Sequence, residues 1–212
     1  MPKRVVAISH TDGAGGERIG QIVSERLGFR YVDEEIISIA ADKEGLESHL
    51  IADAEKRKSL LARLVEGLGR VGVAGAGMGA LTIREASEFT RSDDFRAFIL
   101  EAIRETADQG DVVIVAHAAS IAIAGREGLL RILITAPVKA RTRRLAEAEH
   151  ILEEDAGKWI QRSDARRAEY IRRFHAIDTE LPTHYDLVVN TDRLTLDQAA
   201  EIVIRAARLP DV

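Results

Sequence analysis

The residues most suited to chemistry form a glycine-rich segment near the N-terminus. Positions 9–18 are Ser-His-Thr-Asp-Gly-Ala-Gly-Gly-Glu-Arg, between the apolar run Val5–Ile8 and a helical pattern that begins near Ile19. A turn of this kind exposes backbone N–H groups at the start of a helix, where the helix dipole also favours an anion. Glycines let a phosphate approach the backbone closely. The segment therefore predicts a phosphate site, with candidate residues Asp12, Gly13, Ala14, Gly15, Gly16, Glu17 and Arg18.

Two nucleotide-binding motifs compete for this segment. A dinucleotide-binding turn has a glycine at its sixth motif position, which here is Arg18, although Asp33 lies near the distance of that motif's ribose-binding acid. The wider loop fits a P-loop better, but Gly16 occupies the lysine position and Glu17 the hydroxyl position of that motif. Asp12 adds an unfavourable negative charge. A third interpretation, a turn that only connects a strand to a helix, also stays open.

Two basic clusters follow later in the chain. The first, Arg141, Arg143 and Arg144, lies on a predicted helix after Pro137. The second lies on the next helical region and comprises Arg162, Asp164, Arg166, Arg167, Arg172 and Arg173. Asp164 and Arg167 are three residues apart, a spacing that predicts an ion pair on one helix face. Because arginine suits bidentate phosphate contacts, the clusters indicate either a phosphate-binding surface or a solvated basic face.

Other chemistries find little support in the sequence. The chain contains no cysteine, which excludes disulfides, thiolate metal sites and cysteine nucleophiles. The histidines are scattered and form neither a Ser-His-Asp nor an H-E-x-x-H arrangement. The glycine-rich segment 75–79 imitates a dinucleotide fingerprint, but its surroundings favour a flexible connection between helices. We predict no metal site built from protein side chains alone.

The elements that would position the candidate residues alternate between strand and helix. Short apolar runs predict strands at Val5–Ile8, Phe29–Val32, Val112–Ala116, Leu130–Thr135 and Tyr185–Asn190. Helical patterns occupy residues 19–27, 34–41, 46–66, 95–107, 138–150, 152–174 and 194–209. This alternation predicts a single three-layer α/β/α domain over residues 1–212, with a parallel sheet between helices.

Length, composition and charge fit a globular protein. The chain has 212 residues, of which 46% are hydrophobic and 31% are charged, a balance that argues against disorder. A net charge of −5 argues against a nucleic-acid partner. The longest apolar stretch, 112–124, is shorter than the roughly 17 to 25 residues of a membrane helix. We therefore expect a cytoplasmic protein with neither nucleic acid nor a membrane as partner.

The ordered set of motifs resembles the cytidylate kinase-like family, a branch of the P-loop nucleoside monophosphate kinases. The resemblance extends over residues 4–207. It is carried by Ile8-Ser9 with Gly13–Gly16 and Ile19, then by segments 27–33, 112–119, 136–144, 163–170 and 184–194. The family's turn also lacks the P-loop lysine, so Gly16 agrees with the family pattern.

The resemblance implies a P-loop kinase-like fold that transfers a phosphoryl group from ATP, with Mg²⁺, to a nucleoside monophosphate such as CMP. A basic helical lid over about residues 150–180 would be mobile until a phosphate binds. The implied catalytic residues are Arg18, Arg141, Arg144, Arg162, Asp164 and Arg167. Residues 12–18 would hold the phosphates, Asn190 and Asp192 would lie near the adenine, and Asp33 and His117 would face the acceptor. Small-molecule nucleotides are the expected partners, and a homodimer is left open.

One departure from the family pattern lies at the end of the third predicted strand. The family usually has Gly-Arg there, with the guanidinium facing the acceptor, whereas this chain has Ala116-His117. A neutral imidazole is the poorer phosphate partner at pH 7. Two alternatives therefore stay open: a kinase for another small acceptor, and a nucleotide-binding regulatory module with the same fold and little turnover.

Overall fold

The computed structural model describes residues 4–33, 93–116 and 118–210. The strands of these ranges are β1 (Val5–His10), β2 (Arg30–Asp33), β3 (Val112–Val115), β4 (Leu129–Thr135) and β5 (Leu187–Asn190). The α-helices are α1 (Gly16–Leu27), α2 (Asp93–Gln109), α3 (Ala119–Ala122), α4 (Val138–Glu149), α5 (Glu153–His175) and α6 (Leu196–Arg208).

The strands form a parallel sheet in the order β2-β3-β1-β4-β5. In the central strand β1, Val5 lies opposite Val112 of β3 and opposite Leu129 of β4. Every residue of β1 is buried, which explains its apolar run, because helices cover a parallel sheet on both faces. The connection after β1 leads to β2 on one side, whereas β4 and β5 lie on the other. The carboxyl end of β1 thus lies at the switch point where α/β sheets bind ligands.

Helices pack on both faces of the sheet. Val6 of β1 shares a buried cluster with Ile19 of α1 and Val203 of α6. Because successive side chains of a strand point to opposite faces, the buried Ala7 points away from that cluster. On this second face, α2 packs on β3, and α3 packs on β1 and β4. The predicted three-layer α/β/α fold is confirmed.

Predicted and observed boundaries differ at several elements: β1 extends to His10, two residues beyond the predicted end, and α1 begins at Gly16, three residues before the predicted start. β2 begins at Arg30 instead of Phe29, and β5 begins at Leu187 instead of Tyr185. A 3₁₀ turn at Pro182–His184 precedes β5 and buries the ring of Tyr185 before the chain enters the sheet. The predicted helices 34–41 and 46–66 and the segment 75–79 lie outside the described residues. No helix within the described ranges is long and apolar enough to cross a membrane.

Candidate functional site

The glycine-rich turn joins β1 to α1, and its shape depends on two glycines with left-handed backbones. Gly13 has a φ angle of 76° and Gly15 one of 85°. A Cβ atom on Gly13 would lie 2.7 Å from the carbonyl oxygen of Arg141, so the position has no room for a side chain. Gly15 directly precedes α1. The N–H groups of a first helical turn have no partner within the helix, as an anion site requires.

Arginines from two helices bind the carbonyl groups of this turn. Arg141 and Arg144 belong to α4, and Arg167 belongs to α5. Arg141 Nη1 donates to the main-chain oxygen of Asp12 at 3.3 Å, and Arg144 Nη1 donates to that of Gly13 at 3.5 Å. Arg167 Nη1 donates to the main-chain oxygen of His10 at 3.1 Å. These cations offset the partial negative charge of the carbonyl groups and hold the turn in place.

The ion pairs of this region differ from the predicted one. Arg141, only 4% exposed, donates to both carboxylate oxygens of Asp164, at 2.9 and 2.7 Å, and its Nε donates to the carbonyl of Ala136. Arg167 instead binds Glu180, with Nε–Oε2 and Nη2–Oε1 distances of 3.1 and 2.5 Å. The predicted pair of Asp164 with Arg167 is therefore wrong. Both residues face partners from other segments, which helical spacing cannot show.

Helix α5 also contacts the side chain of Asp12. The buried Ser163 of α5 donates its hydroxyl to Asp12 Oδ2 at 2.6 Å. The Asp12 carboxylate, whose negative charge disfavours a phosphate at the turn, is thus hydrogen-bonded to α5. This contact joins α5 to the turn beside the Arg141–Asp164 pair.

Thr191, which follows β5, supports the turn from another direction. Thr191 is fully buried, and its hydroxyl donates a hydrogen bond to the carbonyl oxygen of Ala14 at 2.9 Å. The same hydroxyl accepts a hydrogen bond from Arg144 Nη1 at 2.9 Å. Its neighbours Asn190 and Asp192 are exposed, and the Asp192 N–H donates to Asn190 Oδ1 at 2.9 Å. The sequence prediction placed residues 190–192 near the adenine, but it did not anticipate that Thr191 would contact Ala14 and Arg144.

A cavity of about 820 Å³ opens over the start of α1. This volume lies within the range of roughly 300 to 1,000 Å³ that is usual for ligand pockets. Predicted residues that line it are Asp12, Gly13, Gly15, Gly16, Glu17, Arg18 and Arg144. It is also lined by His10, Leu145, Glu147, Ala148, Glu149, Trp159, Leu194, Thr195 and Leu196, which sequence reasoning missed as site residues. Of the apolar residues among them, only Leu194 lies in a segment that carries the family resemblance, and no motif marks the others.

Other predicted catalytic residues lie outside this cavity. Asp164 and Arg167 line a separate cavity of about 150 Å³ together with Thr11. Arg162 and Trp159 line a third, of about 390 Å³, and Arg162 Nε donates to the carbonyl of Lys158. Among the described residues around the cavity over α1, the predicted catalytic arginines are thus Arg18 and Arg144.

The two predicted acceptor residues are placed differently. Asp33 ends β2, opposite Val115 of β3, at the carboxyl edge of the sheet where the turn also lies. His117 lies outside the described residues. The acceptor roles of both stay predictions.

A buried polar cluster ties α5 to the segment before β5. The Tyr185 hydroxyl donates to Glu180 Oε1 and lies 3.4 Å from Arg167 Nη2. Burial of the ring raises the pKa of Tyr185 well above its ordinary value, and the hydrogen bond to Glu180 raises it further. Because Arg167 also binds the carbonyl of His10, the cluster reaches the glycine-rich turn.

This raised pKa predicts a loss of stability in alkali. The phenol stays protonated in the folded state while the unfolded chain loses that proton above about pH 10. The stabilising contribution is therefore complete below about pH 10 and declines as the pH rises beyond it. Above about pH 10, we expect the free energy of unfolding to fall more steeply with pH in the unaltered protein than in Tyr185→Phe. The two slopes should differ by up to about 1.4 kcal/mol per pH unit. Urea unfolding from pH 8 to 11 measures both slopes, and equal slopes would contradict the prediction.

The parallel sheet, the helices on both its faces and the turn at the switch point define a class by fold: the P-loop kinase-like α/β/α proteins. Within this class, a sequence model described as the cytidylate kinase-like family matches residues 5–193. The chain belongs to this family.

Relatives with curated names are distant. The chain is 23% identical over 202 residues to the cytidylate kinase of Sulfolobus acidocaldarius, an alignment that covers 94% of this chain and 91% of that enzyme. It is 29% identical over 108 residues to the cytidylate kinase of Methanopyrus kandleri, with 47% of this chain and 56% of that enzyme covered. The chain thus spans little more than half the length of the Methanopyrus relative.

Solved structures share the fold. An uncharacterized protein from Eubacterium ventriosum has a TM-score of 0.65 at 15% identity, with 96% of this chain and 97% of that chain covered. A shikimate kinase from Bacteroides thetaiotaomicron has a TM-score of 0.52 at 14% identity, with 97% and 98% covered. At these identities the similarity concerns the fold alone.

Proposed function

We propose that this chain transfers a phosphoryl group from ATP to a small acceptor, and that the acceptor is a nucleoside monophosphate such as CMP. The observation that carries the proposal is the turn with left-handed Gly13 and Gly15, which opens into a nucleotide-sized cavity at the switch point of the sheet. Membership of the cytidylate kinase-like family supports the choice of acceptor. Phosphoryl transfer asks mainly for positioning and charge stabilisation, which such a site can supply.

Arg18 and Arg144 are the cations best placed to act on the phosphates, since both line the cavity. Arg141 and Arg167 bind carboxylates bidentately, in the manner in which a guanidinium binds a phosphate. We propose that movement of α5 releases them, so that they exchange Asp164 and Glu180 for the transferring group. This exchange would make α5 the lid, with Arg162 carried on it.

The Mg²⁺ that accompanies ATP needs oxygen ligands near the phosphates. Mg²⁺ keeps several waters and usually binds one or two carboxylates together with substrate phosphates. Glu17 occupies the motif position of the hydroxyl ligand and lines the cavity. Within the part of the chain that the structure describes, no group of three or more acidic or histidine residues could hold a metal by itself. These residues fit an ion that arrives with the nucleotide and contacts Glu17.

A regulatory nucleotide-binding module is the second candidate. Gly16 stands in the lysine position, and the acidic Glu147 and Glu149 line the same cavity as the glycine-rich turn. Both features weaken the binding of a triphosphate. They leave the fold intact, and they would lower turnover more than they would lower binding.

Acceptor-dependent formation of ADP tests the proposal. With ATP and Mg²⁺, we expect ADP to form on addition of CMP, and more slowly with UMP, AMP or GMP. Arg144→Ala should lower kcat/KM at least about tenfold, since a hydrogen bond from a charged group to phosphate contributes roughly 1.5 to 3 kcal/mol. Arg143→Ala is the matched control, because this exposed neighbour on α4 contacts Glu147 at 3.9 Å and should leave activity unchanged. ATP hydrolysis indifferent to every acceptor would contradict the proposal.

Replacing His117 distinguishes the candidate functions. If the strand end faces a nucleoside monophosphate, His117→Arg should raise kcat/KM about 10- to 150-fold, through a charge-assisted bond of roughly 1.5 to 3 kcal/mol. A kinase for a different acceptor should lose activity on its own substrate. Undetectable turnover in both forms, with ATP binding measured by calorimetry, would favour the regulatory module.

A further inference from the structure

Trp159 forms part of the wall of the cavity over α1, although it belongs to no recognised motif. It is the sole tryptophan of the chain and lies on α5, whose buried face includes Ala156 and Ile160. Trp159 is outside that buried face: it is partly exposed and lines both the 820 Å³ cavity and the adjoining 390 Å³ cavity. Its ring therefore contributes surface to the cavity more than packing to the core.

Arg166 lies over this ring. Its guanidinium carbon lies 5.6 Å from the ring centroid, within the range of a cation–π contact. Arg166 lines the smaller cavity, and it is absent from the described residues that line the larger one. Arg166 thus contacts the indole at the smaller cavity, while Trp159 also lines the larger cavity.

The larger cavity contains two kinds of surface. Gly13, Gly15 and Gly16 supply backbone at the helix start, which suits a phosphate. Trp159, Leu145, Leu194 and Leu196 supply apolar surface in the same cavity, which suits a flat aromatic group. A nucleotide combines a polyphosphate with such a group in one molecule.

We infer that Trp159 stacks on the base of the donor nucleotide and thereby determines how tightly the base is held. The inference rests on the proposed function, because it assumes that the polyphosphate of ATP lies on the glycine-rich turn. The acidic side chains of Glu147 and Glu149 at the same cavity favour a neutral or hydrogen-donating base edge over a further phosphate. Trp159 is then the residue through which this chain gains affinity for a nucleotide beyond that for its phosphates.

Comparison of ATP with inorganic tripolyphosphate tests the inference, because the two share the phosphates and differ in the nucleoside. Stacking of a base on an aromatic ring is worth roughly 1 to 3 kcal/mol, so Trp159→Ala should weaken ATP binding about 5- to 150-fold in calorimetry. Its affinity for tripolyphosphate should stay unchanged. Trp159→Phe should restore most of the ATP affinity, which a merely structural role of the indole would not explain.

Fluorescence of the unaltered protein gives a second measurement. Since the chain has one tryptophan, all indole emission comes from Trp159. ATP should quench it, whereas tripolyphosphate at saturation should not. Two outcomes would overturn this inference alone. In the first, Trp159→Ala binds ATP as tightly as the unaltered protein does. In the second, Trp159→Ala loses the same affinity for ATP as for tripolyphosphate. A protein that binds neither ligand would overturn the proposed function together with the inference.

Discussion

Placing a lysine at position 16 should weaken nucleotide binding at least tenfold, although lysine is what the P-loop motif has there. Gly16 is the first residue of α1, and a Cβ atom on it would overlap the Cβ and Cγ atoms of His10. His10 is buried at the end of β1, where it lies opposite Ile134 of β4, and it cannot move aside without disturbing this strand pair. We expect Gly16→Lys to lose about 1 to 3 kcal/mol of stability, as overpacked sites do. ATP affinity should fall at least tenfold by calorimetry, since the turn itself is displaced.

A second substitution at His10 tests this explanation. His10 occupies the first glycine position of the same motif, and its Cβ is itself one of the overlapping atoms. His10→Gly combined with Gly16→Lys should therefore recover ATP binding, whereas His10→Ala combined with Gly16→Lys should not. If Gly16→Lys alone binds ATP more tightly than the unaltered protein, the steric explanation is wrong.

Loss of Arg141 should cause the largest fall in stability among the arginines of α4. Its side chain is buried and makes a bidentate pair with Asp164, and it also donates to the carbonyl groups of Ala136 and Asp12. Breaking a buried ion pair by removing one partner costs roughly 3 to 5 kcal/mol. Because Asp164 is partly exposed, we expect Arg141→Ala to lie near the lower end, at about 3 kcal/mol in urea unfolding. ATP affinity should fall as well, since Asp12 loses a contact that holds the turn.

Arg4 supplies the matched control for this prediction. It also pairs bidentately with an aspartate, Asp111, at 3.1 and 2.9 Å, but its side chain is 62% exposed. Exposed pairs contribute little to stability because water screens them. Arg4→Ala should therefore cost a small fraction of the loss in Arg141→Ala and leave ATP affinity unchanged. Similar losses in the two variants would show that burial of Arg141 is not what makes its pair important.

The sheet and the turn could be predicted because their signals are local. A strand that is covered on both faces needs consecutive apolar residues, and Val5–Ile8 and Val112–Val115 supply them. A left-handed backbone favours glycine, and Gly13 and Gly15 occur where the turn needs such backbones. The order of these elements along the chain also sufficed to suggest the cytidylate kinase-like family.

The ion-pair and hydrogen-bond partners of the site residues, and the residues that line the cavity, could not be predicted in the same way. They bring together residues that lie far apart in the chain. Asp164 has Arg167 within one helical turn, yet it pairs with Arg141 of another helix. Thr191 reaches Ala14 across the sheet, and Trp159 belongs to no motif that would mark it as part of a cavity. The amino-acid sequence by itself determined the α/β class, the strands and the glycine-rich turn, since each follows from local periodicity and backbone preference. Only the tertiary structure decided which charges meet and which side chains surround the turn, because packing between helices selects those contacts.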